Sequence, residues 1–574
     1  MRKTLHSLAQ RLLAARGSAS KILAKRFKSA AAVAALALAL GVSTPALSQD
    51  STSQEIADLK ARLEQLERQN AEFKALVLER LPQDSPSPSD LQVNASRLDT
   101  AEIHSILDAY LAEQEAKKSA EAEAARAAGH EVGSDLSMTA TWKDGLELAT
   151  KNKDFRVHIG GRTQFDTAWF SADPNLYTQV GPIQSPTPGL TDVYADGVDF
   201  RRARLRVDGT MYEQIEWAAE YDFVNSAGIS GTARAFTAPT DLWWAFKEVP
   251  ILQTVKIGNQ KEAIGFEHMV SSRYLPFMER SYNQDAFYGG LFNGFSPGIT
   301  TLGTYGEEDI GTYNVGIFKP PNTVFGFNTG DGDYAVVGRL TRLLWWEDEG
   351  SQLVHMGLSL RQGTAVATNV GAGSSTPFRT ITYRTRDAIR SGLSTNWPTP
   401  ANITLFGDDT QSANFEFVVV NGSFTLQAEY LVNGLQDART TALGPLGTTV
   451  TYHGGYVQMM YFLTGEHDHY GKKVGFFERV RPNENFFLVR DESGCRCFGR
   501  GAWQVGARYN YLDLNDEGLN GGILHNGTFG VNWFLNPNMK VQFNYMATYR
   551  DAPLPGNTGD GWVNGWGIRV AHDF

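Results

Sequence analysis

The sequence predicts an all-β protein, a transmembrane antiparallel β-barrel, preceded by an α-helical coiled-coil segment. Three observations lead there. From about Ala140 onward apolar and polar side chains alternate with a period of two, the mark of strands with one apolar face. The alternating segments exceed the roughly five or six residues of an average soluble strand and match the about 9 to 11 residues that a tilted strand needs to cross a bilayer. Aromatic pairs cluster near strand ends, at Trp169-Phe170, Trp243-Trp244, Trp345-Trp346 and Trp533-Phe534, as interfacial girdles require.

The chain has 574 residues, 42% of them hydrophobic and 20% charged, which excludes a disordered tail, a collagen or a short disulfide scaffold. Eight basic residues between Arg2 and Lys28 precede the apolar run Ala30 to Val42, and no acid appears before Asp50. That run falls short of the roughly 20 residues of a spanning helix. With the small residues of Ala46-Leu47-Ser48 behind it, it reads as a secretion signal over residues 1–48, an organellar transit peptide being the alternative. Without these residues the chain holds 44 basic and 63 acidic side chains, a formal charge of −19. A general nucleic-acid binder carries the opposite sign.

Residues 49–82 contain a heptad pattern, with Ile56, Leu63, Asn70 and Val77 at one seam position and Leu59, Leu66, Phe73 and Arg80 at the other. The expectation is a self-associating helix whose register Asn70 fixes, and the alternative is a solitary amphipathic helix. Leu81-Pro82 and the Pro/Ser stretch behind it end the helix. Residues 83–139 form a linker containing a second helix around Ile103 to Leu111 that fades into an Ala-rich solvated run. Its charged face needs no functional explanation.

Residues 140–574 make the barrel. Phe155 to Phe170 places Val157, Ile159, Phe165 and Trp169 on one face and Arg156, His158, Arg162, Gln164 and Asp166 on the other. The same alternation runs through Trp503 to Tyr511, Phe529 to Leu535, Met539 to Ala547 and Trp566 to Phe574, with Asn536-Pro537-Asn538 as a tight turn. Polar Gly/Thr/Ser-rich stretches such as Val370 to Asn396 are expected as external loops.

In Phe200 to Gly209, Arg202, Arg204, Arg206 and Asp208 project to one side, and Arg201, Ala203, Leu205 and Val207 to the other. Putting three arginines in lipid costs about 2 to 4 kcal/mol each near the midplane, so that face meets water. Two apart on a strand, the arginines stand about 7 Å from one another, within a Debye length of about 8 to 10 Å. Two readings remain open. The arginines form a ladder for a passing anion, or they pair with Glu216, Glu220 and Asp222 on the following strand.

Two weaker clusters stand apart. Glu466-His467-Asp468-His469 presents two imidazoles on one strand face, too few for usual metal geometry and better explained as a polar strand end or loop tip. Cys495 and Cys497 lie about 7 Å apart if extended, too far for an unstrained bridge, although a bent loop closes that gap. No Ser/His/Asp constellation or phosphate-cradling loop sits in a strand-to-helix context, so no enzymatic activity or cofactor is expected.

Several segments together carry a resemblance: Phe200-Arg201-Arg202-Ala203-Arg204-Leu205, Val255-Lys256-Ile257-Gly258, Ser271-Ser272-Arg273, Phe277-Met278-Glu279-Arg280 and Leu463-Thr464-Gly465-Glu466. Gly501-Ala502-Trp503, Ala507 to Asn515 and Val531 to Pro537 extend it. In this order the chain resembles the phosphate-selective porins of the O and P type over nearly all of residues 150–574. The resemblance implies about 16 strands, a homotrimer, a periplasmic N-terminal region and an outer-membrane location. The terminal Phe574 is similar to the last-strand feature that outer-membrane assembly reads. It also implies that Asn259 to Phe295 folds inward as a constriction loop. Relatives carry lysine and proline near the start of that loop, where this chain has Lys261-Glu262-Ala263-Ile264.

The expected function is passive diffusion of small hydrophilic solutes, anions such as phosphate among them. Arg156, Arg162, Arg202, Arg204, Arg206, Lys256, Lys261 and Arg273 are the candidates for attracting the solute, with Arg273 and Lys261 foremost, and for Arg280 a structural role through Glu279 or a wall carboxylate is weighed equally. The barrel's net charge of −10 does not oppose this, because screening confines selectivity to charges near the constriction. Two other readings are a structural tether, with the coil contacting the cell wall, and a sugar or general-diffusion porin whose lumen aromatics and amides form a track.

Overall fold

The computed structural model describes residues 131–574 except 174–175, 177–195, 225–236, 290–293, 321–333, 369–377, 391–400, 442–446, 491–493, 495 and 552–559. The secretion signal, the coiled coil and nearly all of the linker lie outside the described residues, as does Cys495.

Sixteen strands make the wall. The first five are β1 (Arg156–Ala172), β2 (Gly197–Met211), β3 (Ile215–Asp222), β4 (Ala238–Val249) and β5 (Gln253–Lys261). Then come β6 (Phe295–Tyr305), β7 (Gly311–Phe318), β8 (Ala335–Glu347), β9 (Gln352–Thr364), β10 (Asp409–Asn421) and β11 (Phe424–Ala438). The last are β12 (Thr448–Phe462), β13 (Ala502–Asp516), β14 (Leu519–Asn536), β15 (Met539–Asp551) and β16 (Gly561–Asp573). Each pairs antiparallel with the next, and β16 closes on β1 with Trp566 opposite Trp169 and Asp573 opposite Arg162. Closure leaves no unpaired edge, the condition for a sheet to stand in lipid. A hairpin of Met138–Trp142 and Leu146–Thr150 adds to the start of β1.

The alternation read from the sequence governs the wall. In β16, Trp566, Ile568 and Val570 face outward, and Arg569 between them is fully buried in the lumen. Trp503 and Trp533 stack at 5.0 Å on the outer face. One irregularity matters for function. Gln164 pairs with Arg202 and Phe165 with Phe200, so Arg201 is an extra residue in β2. Such a bulge turns two successive side chains the same way. Arg201, expected on the lipid side of the alternation, is therefore inside, at 5% exposure.

The two ends of the barrel differ. At the turn end six connections have two to five residues, and the seventh, 463–501, has 39. The connections at the loop end reach 44 residues, in 365–408. The lumen is filled by three inserts rather than by a continuous apolar core. The constriction loop 262–294 enters from the loop end. Part of 365–408 follows it inward, so the expectation of an external loop over Val370 to Asn396 is corrected for its described middle, where Arg386, Ile389 and Arg390 are buried. Their pairing with acids of the constriction loop, described below, explains the inward course. The 463–501 insert enters from the turn end, where Tyr470 and Phe477 join Phe266, Leu275, Leu343, Leu353, Val418 and Val420 in one apolar cluster.

Candidate functional site

The constriction loop crosses the lumen because wall side chains satisfy its backbone. The Glu429 carboxylate on β11 accepts from the backbone N–H of Phe266 at 2.9 Å and of Glu267 at 2.8 Å, where the short helix α1 (Phe266–Met269) begins. Gly265 before it has φ +72°, and a Cβ there would lie 2.5 Å from Glu429 Oε2, so only glycine fits. Farther along, Asn532 Nδ2 donates to the Pro276 carbonyl at 2.8 Å, Lys540 Nζ to Leu275 at 2.8 Å and Arg508 Nη1 to Glu279 at 3.0 Å. The loop thus spans from β5 to the far wall, as the resemblance implied.

Glu279 is the hub of the loop. Arg201 donates to its two oxygens at 2.7 and 3.0 Å, Arg569 at 3.0 Å, and Arg390 lies 3.3 Å away. Burial opposes ionisation of this carboxyl, but Arg201, Arg390 and Arg202 hold it well below the usual carboxylate range. Nearby, Asp285 takes Arg386 at 2.5 and 2.9 Å and Arg390 at 3.3 Å, which draws the 386–390 segment into the barrel. Arg280 binds neither Glu279 nor a wall carboxylate. It donates to the carbonyls of Glu267 at 3.0 Å and Val270 at 2.6 Å, which corrects the expected partner.

Beneath the loop, beside β1–β5, lies a cavity of about 400 Å³. Seven of the eight candidate residues line it: Arg162, Arg202, Arg204, Arg206, Lys256, Lys261 and Arg273. Arg156 stands outside it, bonded to Glu147 at 2.8 Å and Asp208 at 3.3 Å. With Arg280 the lining holds eight basic side chains against two acids, Glu220 and Asp241.

The ladder and the paired wall coexist. Arg162 donates to Glu220 at 2.5 Å and Ser272 at 2.7 Å. Arg204 bridges Asp222 at 2.8 Å and Glu220 at 3.0 Å. Arg206 binds Asp208 at 2.9 Å and Asp241 at 3.0 Å. Glu216, expected to share in this pairing, instead binds Lys247 at 3.2 Å. The other four of the seven candidates in the cavity have less carboxylate compensation. Arg202 donates to Gln164 at 2.7 Å, with Glu279 4.0 Å away. Lys261 Nζ reaches three carbonyls, of His268, Met269 and Val270, at 2.6 to 3.2 Å. Lys256 Nζ sits 4.2 Å from the Trp243 ring centroid, and Arg273 Nε lies 3.6 Å from Asp573, beyond hydrogen-bond range.

The Glu466 to His469 segment belongs to the turn-end insert and serves its folding. Glu466 accepts from the Thr464 hydroxyl and from the Asn483 N–H, and Asp468 accepts from Thr425 at 2.7 Å. Among the described residues no group of three or more His, Cys, Asp or Glu is placed to hold a metal.

A closed antiparallel barrel with an apolar belt, a charged lumen and an infolded loop is the architecture of an outer-membrane porin. The match to a protein family agrees. The family of phosphate-selective porins O and P matches residues 188–560, and the chain belongs to it. It is similar to Porin O of Pseudomonas aeruginosa, 24% identical over 467 residues that cover 77% of this chain and 93% of that protein. An uncharacterized protein of Caulobacter vibrioides is 26% identical over 443 residues, 76% of this chain and 77% of its own. Among solved structures, an anion-selective porin from Comamonas acidovorans covers 73% of this chain with all of its own, at 11% identity and TM-score 0.40. The outer membrane channel DcaP of Acinetobacter baumannii covers 74% with 99% of its own, at 11% identity and TM-score 0.39.

Proposed function

We propose that this porin passes small anions, phosphate among them, by passive diffusion through the basic cavity, without a cofactor. The observation that carries the reading is the excess of eight basic over two acidic side chains in one lumen cavity. Arg202, Lys256 and Arg273 keep the most uncompensated charge and make the contacts, and Lys261, whose three N–H donors are taken by loop carbonyls, adds to the field. Arg162, Arg204 and Arg206 shape the field, and Arg156 draws anions at the turn end. Contacts at each point stay weak, as conduction requires.

The long-loop end faces outside and the turn end the periplasm, in the usual barrel orientation. The N-terminal coil then lies in the periplasm after residues 1–48 are removed, and holds a homotrimer together. Reversal potentials across a salt gradient in planar bilayers test the anion reading. An anion-selective sign is expected, and a cation-selective sign removes the reading while leaving the pore.

A further inference from the structure

The cavity is more than a ring of charge. Its volume of about 400 Å³ lies within the roughly 300–1,000 Å³ of sites that hold organic ligands, far more room than a compact inorganic anion fills. Aromatic rings share the lining: Trp243 from β4, Phe295 at the start of β6, and Phe476.

Phe476 comes from the 39-residue insert at the end of the barrel where every other connection is two to five residues long. The insert is fastened on both sides of it. The Gly475 carbonyl accepts from Arg339 Nη2 at 2.9 Å, the Phe477 ring packs edge-on to Phe266 at 5.0 Å, and the Tyr470 hydroxyl bonds His355 Nδ1 at 2.8 Å. A connection built in this way closes the cavity from the turn end with an aromatic face. Arg273 supplies the complementary chemistry. Its Nε and one terminal nitrogen, Nη2, are buried without a hydrogen-bond acceptor among the described residues, and a guanidinium fork matches a carboxylate in geometry.

We propose that this compartment is a binding site for organic anions with a flat aromatic body, aromatic carboxylates foremost. The carboxylate engages Arg273 and its basic neighbours, and the ring lies against Phe476 and Trp243. The inference rests on the anion reading above and adds the class of solute.

The experiment is block of single-channel current through the full chain by benzoate, cyclohexanecarboxylate, acetate and inorganic phosphate, alongside the reversal potential. Benzoate is expected to half-block at a concentration about tenfold below that of acetate, a difference of about 1.4 kcal/mol, with cyclohexanecarboxylate between them because it keeps the apolar bulk and lacks the aromatic ring. Phe476→Leu, which keeps the bulk but removes the ring, is expected to erase most of the gap between benzoate and cyclohexanecarboxylate and to leave acetate unchanged. The wild-type series decides the matter even if the variant fails to fold. Equal block by benzoate and acetate, or strongest block by phosphate, in an anion-selective channel overturns this proposal alone. Cation selectivity overturns it together with the reading on which it rests.

Discussion

On the β1–β5 side of the lumen, cations outnumber carboxylates in the cavity lining, and Arg202, Lys256 and Arg273 have no carboxylate within hydrogen-bond range among the described residues. On the β9–β12 side each carboxylate is saturated. Glu416 accepts from Arg339 at 2.8 and 2.9 Å and from Ser359 at 3.0 Å. Glu429 accepts from two loop N–H groups, Asn414 at 2.9 Å and the Tyr456 hydroxyl at 2.5 Å. In the proposed function the first wall presents charge to a solute, while the second uses charge to hold the constriction loop. The same residue types therefore have different functions according to whether their partners already satisfy them, because a fully hydrogen-bonded buried ion has little capacity left for a ligand.

The contrast between the walls is most severely disturbed at the hub of the constriction loop. Glu279→Ala removes the carboxylate bonded to Arg201 and one of the two that Arg569 and Arg390 each hold, leaving them Asp166 and Asp285. Removing one partner of a buried ion pair costs about 3–5 kcal/mol, expected as a lowered unfolding midpoint of the detergent-solubilised barrel and as a larger, noisier conductance. Glu429→Gln acts on the holding wall alone. It weakens the acceptor of the Phe266 and Glu267 N–H groups at an expected cost of about 1–3 kcal/mol. Limited proteolysis within 262–294 reads it, with the unfolding midpoint of the barrel falling less than in Glu279→Ala.

Much of the presenting wall was legible in the sequence. A period of two fixes which side chains meet water once one face must meet lipid, so Arg162, Arg202, Arg204 and Arg206 were placed inside by alternation. Arg201 was misplaced for a physical reason: a bulge adds one residue and flips the parity, and parity reasoning cannot see it. The adjacent Arg201-Arg202 pair was the available signal, since a regular strand would have sent one of the two into lipid. The holding wall was less legible. Glu429 takes its role from a loop more than a hundred residues away in the chain, Glu416 takes its own from Arg339 and Ser359 on other strands, and no local pattern encodes either contact. Nor did composition show that the Arg386 to Arg390 segment turns inward. Its polar Gly/Thr/Ser-rich surroundings read as solvent-exposed, and only the acids at 279 and 285 explain its course.

Within the presenting wall, the paired and less compensated cations separate in selectivity. Arg202→Ala and Lys256→Ala remove charge that faces the cavity and lower the anion-to-cation permeability ratio by a factor of a few. Arg156→Ala removes a cation already bonded to two acids outside the cavity and changes that ratio less. Equal shifts from all three would show that position in the ladder is irrelevant and that total lumen charge sets the field.

The smallest effect concerns pH and the segment that docks on the constriction loop. Burial pushes the Asp387 carboxyl up to about 7, against the opposing pull of hydrogen bonds from Thr548 and Tyr282 and of the Arg390 charge. Undocked, the group returns to an ordinary value of about 3.9. Between these values the docked form holds a proton that the undocked form lacks, so docking is fully favoured below about pH 4 and weakens as pH rises toward 7. Above 7 no further change from this group is expected, because Asp387 is ionised in both forms. Open-channel noise should therefore grow from about pH 4 to about pH 7 and level off. Asp387→Asn, which cannot ionise, should hold the quiet low-pH behaviour across that range. A variant that keeps the wild-type pH profile would assign the change to another group and leave the docking of Arg386 and Arg390 on Asp285 and Glu279 independent of protonation at Asp387.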